Sequence, residues 1–166
     1  MINISKLILA LLIVLLSCSQ KANEFRSLQE LADRVVSIIQ SGSKDDFNKI
    51  VVSRSEFIKS IHPYTPEGIK DKSITGQDIF DNFIYYKRLK AINQKFLKYK
   101  SADIIVKNIG IPQKVTHTPK FNMLRNIPVV LEITDNNGKK TEITDDQILG
   151  IVIERNNKYI LLNIFE

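Results

Sequence analysis

From Phe25 to Ile39 apolar residues return every three or four positions, as Phe25, Leu28, Leu31, Val35, Ile38 and Ile39. Arg26, Glu30, Asp33, Arg34 and Ser37 fall on the opposite side. This spacing predicts an amphipathic helix with one stripe turned to a core. Ser27 and Glu30 stand at capping-box distance, and Ser41-Gly42 supplies the stop. The same signature, Ser43 with Asp46 and then Ser53 with Glu56, predicts two short helices carrying Phe47 and Ile50, and Phe57, Ile58 and Ile61. His62-Pro63 is expected to end the second of these, because a residue before proline avoids the α region. Tyr64 to Ser73 is expected as a loop. Thr75 with Asp78 then opens the longest helix, to about Lys100.

The apolar stripe of that long helix changes side. Ile79, Phe80, Phe83, Ile84 and Tyr86 share one side, whereas Tyr85, Leu89, Ile92, Phe96 and Tyr99 point nearly the other way. A kink near Ile84 is one solution. The preferred expectation is a helix whose early turns pack on other helices and whose later stripe lies on a sheet.

Beyond residue 100 the period falls from 3.6 to 2. Ile104 to Ile109 and Val115 to Thr118 read as strands, and Ile127, Val129, Leu131 and Ile133 alternate with polar neighbours. Asp135-Asn136-Asn137-Gly138 is a hairpin turn leading into Lys139 to Thr144, with Asp145-Asp146 expected as a further turn. Ile148 to Arg155, Asn156-Asn157 and Lys158 to Phe165 make a second hairpin. Its Ile151-Val152-Ile153 and Ile160-Leu161-Leu162 are apolar on both faces. Both faces should then be covered, one by helices and the other by a cavity wall, a loop or a second subunit.

The first residues are of another kind. Lys6 precedes the unbroken apolar run Leu7 to Leu16, which is too short to span a bilayer but suits an export signal. Leu15-Leu16-Ser17-Cys18 resembles the lipobox of bacterial lipoproteins. The resemblance implies acylation of Cys18, cleavage before it, and anchorage in the cell envelope, with Ser19 pointing to the outer membrane. The expected organisation is residues 1–17 as signal peptide, 18–24 as lipidated tether and 25–166 as a single α+β domain. About six flexible residues reach roughly 14 Å, which keeps the domain close to the bilayer.

Composition narrows the function classes. At 43% hydrophobic and 25% charged the full sequence has the composition of a chain that folds rather than staying disordered. Cys18 is the one cysteine, so packing and not a disulfide holds the domain. The net charge of +6 fits solubility and some attraction to anionic lipid, and nucleic acid is not an expected partner of an exported chain. No nucleotide-binding glycine motif and no nucleophile elbow is present. His62 and His117, each near a proline in a loop or strand end, read as surface or loop histidines without a metal-ligand neighbour. The reading therefore assigns no catalytic residue, no metal and no cofactor. Tyr85, Tyr86 and Tyr99, with Glu154 and Asn163 as polar contributors, are the candidate lining of a ligand pocket. Lys87, Arg88, Lys90, Lys95 and Lys98 read as a solvated basic helix face.

Helices first, a long central helix, then an antiparallel meander ending on Lys158-Tyr159-Ile160: this is an α+β plan with N-terminal helices packed on a curved, cone-like antiparallel sheet. It looks like the cystatin-like folds typified by relatives of nuclear transport factor 2, which also carry a helix, a Gly-Ser turn and a Phe-bearing helix, as Ile39 to Phe47 does. Those relatives place an early β-hairpin where Ser53 to Ile61 here reads as helix. The resemblance implies a pocket between sheet and helices. The expected role is a membrane-anchored lipoprotein that binds a small ligand or an envelope protein without catalysis. The alternatives are a small hydrolase or isomerase using the pocket, and a structural accessory subunit, with homodimerisation through the sheet face as one mode of assembly.

Overall fold

A serine or threonine hydroxyl opens each helix by accepting the backbone N–H three residues on. Ser27 takes that of Glu30, Ser43 of Asp46, Ser53 of Glu56, Thr65 of Gly68 and Thr75 of Asp78. Each cap satisfies an otherwise orphaned donor and contributes about 1 kcal/mol. The computed structural model describes residues 23–99 and 101–166. The expected signal, Cys18 and most of the expected tether lie outside them.

Five helices follow in order. α1 is Leu28–Ser41, closed by Gly42 at φ 67°, and α2 is Lys44–Ile50. α3 starts as Arg54–Glu56, widens over Phe57–Ile61 and tightens over His62–Tyr64. α4 is Pro66–Lys70, a short helix inside the stretch expected as loop. α5 starts as Gly76–Ile79, widens over Phe80–Tyr85 and continues as Tyr86–Lys98. Phe25 is not helical. It pairs with Tyr159 through two backbone bonds of 2.9 Å, while Val52 N–H bonds Leu161 O, so both segments cover the last strand's edge.

Five strands make one antiparallel sheet: β1 Asp103–Ile109, β2 Lys114–His117, β3 Asn122–Thr134, β4 Lys140–Arg155 and β5 Lys158–Asn163. β1 and β2 lie on one side of β3, β4 on its other side, and β5 beside β4. The segments expected as Lys139 to Thr144 and Ile148 to Arg155 are one long strand, in which Asp145 pairs with Val129 and residues 146–148 make a bulge opposite Pro128. Proline brings no N–H to a ladder, so a bulge is where β3 tolerates it. Asn126, at φ 51°, and the bulge bend the sheet.

The bend gives the sheet two buried faces. On the first, Leu124, Val129, Leu131, Val152 and Leu161 pack against α1 and against Ala91, Ile92 and Tyr99 of α5. On the second, Met123, Ile153, Ile160 and Leu162 pack against Phe57 and Ile61 of α3 and Phe80 of α5. Helices thus cover the last hairpin on both sides. α5 reaches both faces because its widened turn, bonded i to i+5, carries an extra residue and rotates the following stripe by about 100°. The stripe change seen in the sequence is this turn. Ile92, Phe96 and Tyr99 do face the core and Leu89 is half-buried, whereas Phe83, Tyr85 and Tyr86 are 58%, 51% and 68% exposed.

Two members of the expected solvated basic face are also buried, Arg88 and Lys95. Lys95 Nζ lies 2.7 Å from Asp145 Oδ2 beside the β4 bulge, Tyr99 OH donates to the same oxygen at 3.1 Å, and Gln147 N–H donates to Oδ1 at 2.9 Å. Burial alone would raise the Asp145 carboxyl, but the Lys95 ammonium and these donors outweigh it and hold it below its ordinary value of 3.8. Its contribution to stability is therefore complete above pH 3.8 and is lost as pH falls below that. Asp145→Asn is expected to cost about 3 kcal/mol at neutral pH by leaving a buried ammonium without its counter-charge. In urea unfolding, that gap between variant and wild type should close on acidification below pH 3.8.

Candidate functional site

Where the second face of the sheet runs out from under α3 and the start of α5, a cleft of about 330 Å³ remains open. Met123, Ile151 and Leu162 line it from the sheet, Phe57 from α3, and Ile79, Phe83 and Ile84 from α5. The wide turn of α5 creates the opening, because it turns Phe80 into the core beside Phe57, with ring centres 5.7 Å apart, and leaves Phe83 at the solvent side. Ile74, from the segment before α5, also lines the cleft and is 43% exposed. Its titratable lining residues are Glu67, which is exposed, and Arg125, whose Nε and Nη2 meet Met123 Sδ at 3.3 and 3.0 Å. Such a surface receives apolar groups. It offers no buried acid or base to move a proton.

The five residues expected to line one pocket do not converge. Tyr85 and Tyr86 stand exposed on α5 and face different grooves. Tyr99 is buried on the first face of the sheet against Asp145. Glu154, on β4, accepts from Asn122 Nδ2 at 2.8 Å and from Tyr159 OH at 3.2 Å. Asn163 is buried at the end of β5, its Oδ1 without a partner. Nothing in the sequence marks the cleft residues Met123 and Arg125, because strand alternation is clean only from Ile127 onward. Ile79 and Ile84 were visible, as the early stripe of the long helix.

Two further polar groups, His62 and Arg88, are placed differently from the sequence reading, whereas His117 lies at the end of β2 as a surface histidine. His62 is buried, with its ring 5.9 Å from Phe57 and Nε2 without a partner. Gly76 is what admits it, since a Cβ there would stand 2.9 Å from His62 Cγ. His117 is exposed, with Nδ1 2.8 Å from Asn122 Oδ1. Arg88 is 4% exposed. Its Nη1 and Nη2 donate to the carbonyls of Val52, at 3.0 Å, and Leu162, at 2.5 Å. Burial lowers its guanidinium to about 10. Among the described residues no cluster of histidine, cysteine or carboxylate side chains is arranged to hold a metal ion, and no helix is long and apolar enough to cross a membrane.

Burial first, and then the neighbouring Asp145 carboxylate, raise the Tyr99 phenol well above its ordinary value of 10.0. In a spectrophotometric alkaline titration Tyr99→Phe should remove the last phenol to ionise, and it should cost about 1 kcal/mol of stability. An unchanged late phase would show that Tyr99 is not in this buried cluster. No family model, curated protein or solved structure matches the chain.

Proposed function

We propose that this chain is a non-catalytic binding protein of the bacterial envelope, anchored through an acylated Cys18, whose cleft takes the apolar part of a small ligand. One observation carries the reading. The sheet residues Met123, Ile151 and Leu162 line an open cleft whose titratable members, Glu67 and Arg125, are not buried within it. Water against such apolar walls is displaced favourably by an apolar group, at roughly 25 cal/mol per Å². Catalysis by a cone-pocket hydrolase or isomerase asks for a desolvated acid or base in the cleft, and the lining supplies apolar side chains instead.

The Leu7 to Leu16 run and Ser17-Cys18 support the anchor, since an acylated chain holds a protein at the bilayer where a soluble export signal does not. The first described residues fit that geometry. Asn23 N–H bonds Lys49 O at 3.3 Å and Arg155 meets Glu24 at 3.1 Å, so the domain begins within a few residues of Cys18. We infer kinship with the cystatin-like cone folds from the long helix, the antiparallel meander and the cleft between them. The helical α3 in place of an early hairpin is the departure. A second reading, the accessory subunit of an envelope complex, is favoured by Ile74 and Phe83, cleft residues whose exposure of 43% and 58% leaves apolar surface open to a protein partner.

The anchor is tested by metabolic labelling with a fatty-acid analogue. Label and membrane association are expected in wild type and lost in Cys18→Ala, and an unlabelled wild type would contradict it. The cleft is tested in envelope membranes with a photoreactive alkyl probe, mapping the labelled peptides. Saturable label is expected in residues 74–84 and should fall several-fold in Phe83→Ser, whose half-exposed ring can go without unfolding the domain. Label spread evenly over the surface, or unchanged in Phe83→Ser, would contradict the cleft as a binding site.

A further inference from the structure

A second groove, which shares no lining residue with the cleft, holds a buried charge. It measures about 300 Å³ and lies between the α2–α3 junction and α5, lined by Val51, Val52, Phe80, Tyr85 and Arg88. Arg88 is buried and its charge is not neutralised. Two of its nitrogens donate to carbonyls, Nε has no acceptor, and no carboxylate among the described residues lies within ion-pair distance of it. The nearby acid of the groove, Asp81, is committed to Arg54 through two bonds of 2.8 Å. The face of Phe80, 5.4 Å from the guanidinium carbon, offsets part of the cost and leaves the charge in place. A buried charge is retained when something pairs with it.

We propose that this groove binds a small carboxylate with an apolar body, the carboxylate facing Arg88. One negative charge matches the single buried positive one, and the planar guanidinium suits a planar carboxylate. A phosphate dianion would bring a second charge to desolvate. The apolar body lies against Tyr85, which is 51% exposed and whose ring stacks on Phe80 with centres 6.4 Å apart and planes at 25°. The groove is distinct from the apolar cleft, and either site stands without the other.

The probe pair is benzoate and its neutral isostere benzamide, added to the full chain in lipid nanodiscs while thermal unfolding is followed. Benzoate should raise the midpoint saturably, as a ligand of the folded state does, and benzamide at equal concentration should not. Arg88→Met, which fills the same space without charge, should abolish the benzoate response. If that variant does not fold, Tyr85→Ala serves, because its exposed ring carries little of the core, and it should weaken benzoate roughly threefold to tenfold. Equal responses to the two probes, no saturable response to benzoate, or a benzoate response unaffected by these substitutions would overturn the assignment.

Discussion

One helix has to serve both faces of a sheet that is apolar on both, and the rest of the architecture depends on how α5 does it. Its first turns bury Phe80 beside Phe57 on the second face, and its later turns bury Ala91, Ile92 and Tyr99 on the first. A straight α-helix presents one stripe, so the change needs an inserted residue, and the i to i+5 turn over Phe80–Tyr85 supplies it. The same turn decides what stays open. It leaves Phe83 at the edge of the cleft and Tyr85 at the wall of the second groove.

The two buried cations of α5 are handled in opposite ways. Lys95 finds a carboxylate beside the β4 bulge, with Tyr99 and a backbone N–H completing the shell around it, and the arrangement ties the helix to the sheet. Arg88 finds only carbonyls and an aromatic face. Both sit seven residues apart on the turns that follow the wide segment, at nearly the same angle around the helix. One is a closed structural pair. The other is an open charge beside a groove, and this contrast separates a fold-holding interaction from a ligand-holding one.

Much of the fold was legible in the chain. Four of the five hydroxyl caps were read from Ser27, Ser43, Ser53 and Thr75, because a hydroxyl three residues before an acid is a local signal. The two hairpin turns and most strand residues are legible for the same local reason, but not the start of β3 at Asn122 or the continuity of β4. What could not be read depended on distant partners. Arg88 and Lys95 look like any solvated helix cations until the Val52 carbonyl and the β4 bulge are brought against them. Asp145-Asp146 looks like a turn until Val129 and Pro128 stand opposite. Tyr85, Tyr86, Tyr99, Glu154 and Asn163 share no pattern that fixes their direction, and the sheet and α5 send them to separate places. The cleft itself joins Met123 and Ile151 to Ile79 and Ile84, a juxtaposition made by topology rather than by spacing.

The most direct test of the wide turn's role is hydrogen exchange, read by mass spectrometry, on the chain with exposed Asn82 deleted. Removing one residue returns the turn to α-helical spacing, so α5 can keep only one of its two stripes in place. The expected result is faster exchange confined to α3, the start of α5 and β5, with α1 and the later turns of α5 still protected, together with loss of alkyl-probe label in the cleft. Unchanged protection over α3 with the cleft still labelled would contradict the account, because it would mean that α5 covers both faces without the inserted residue.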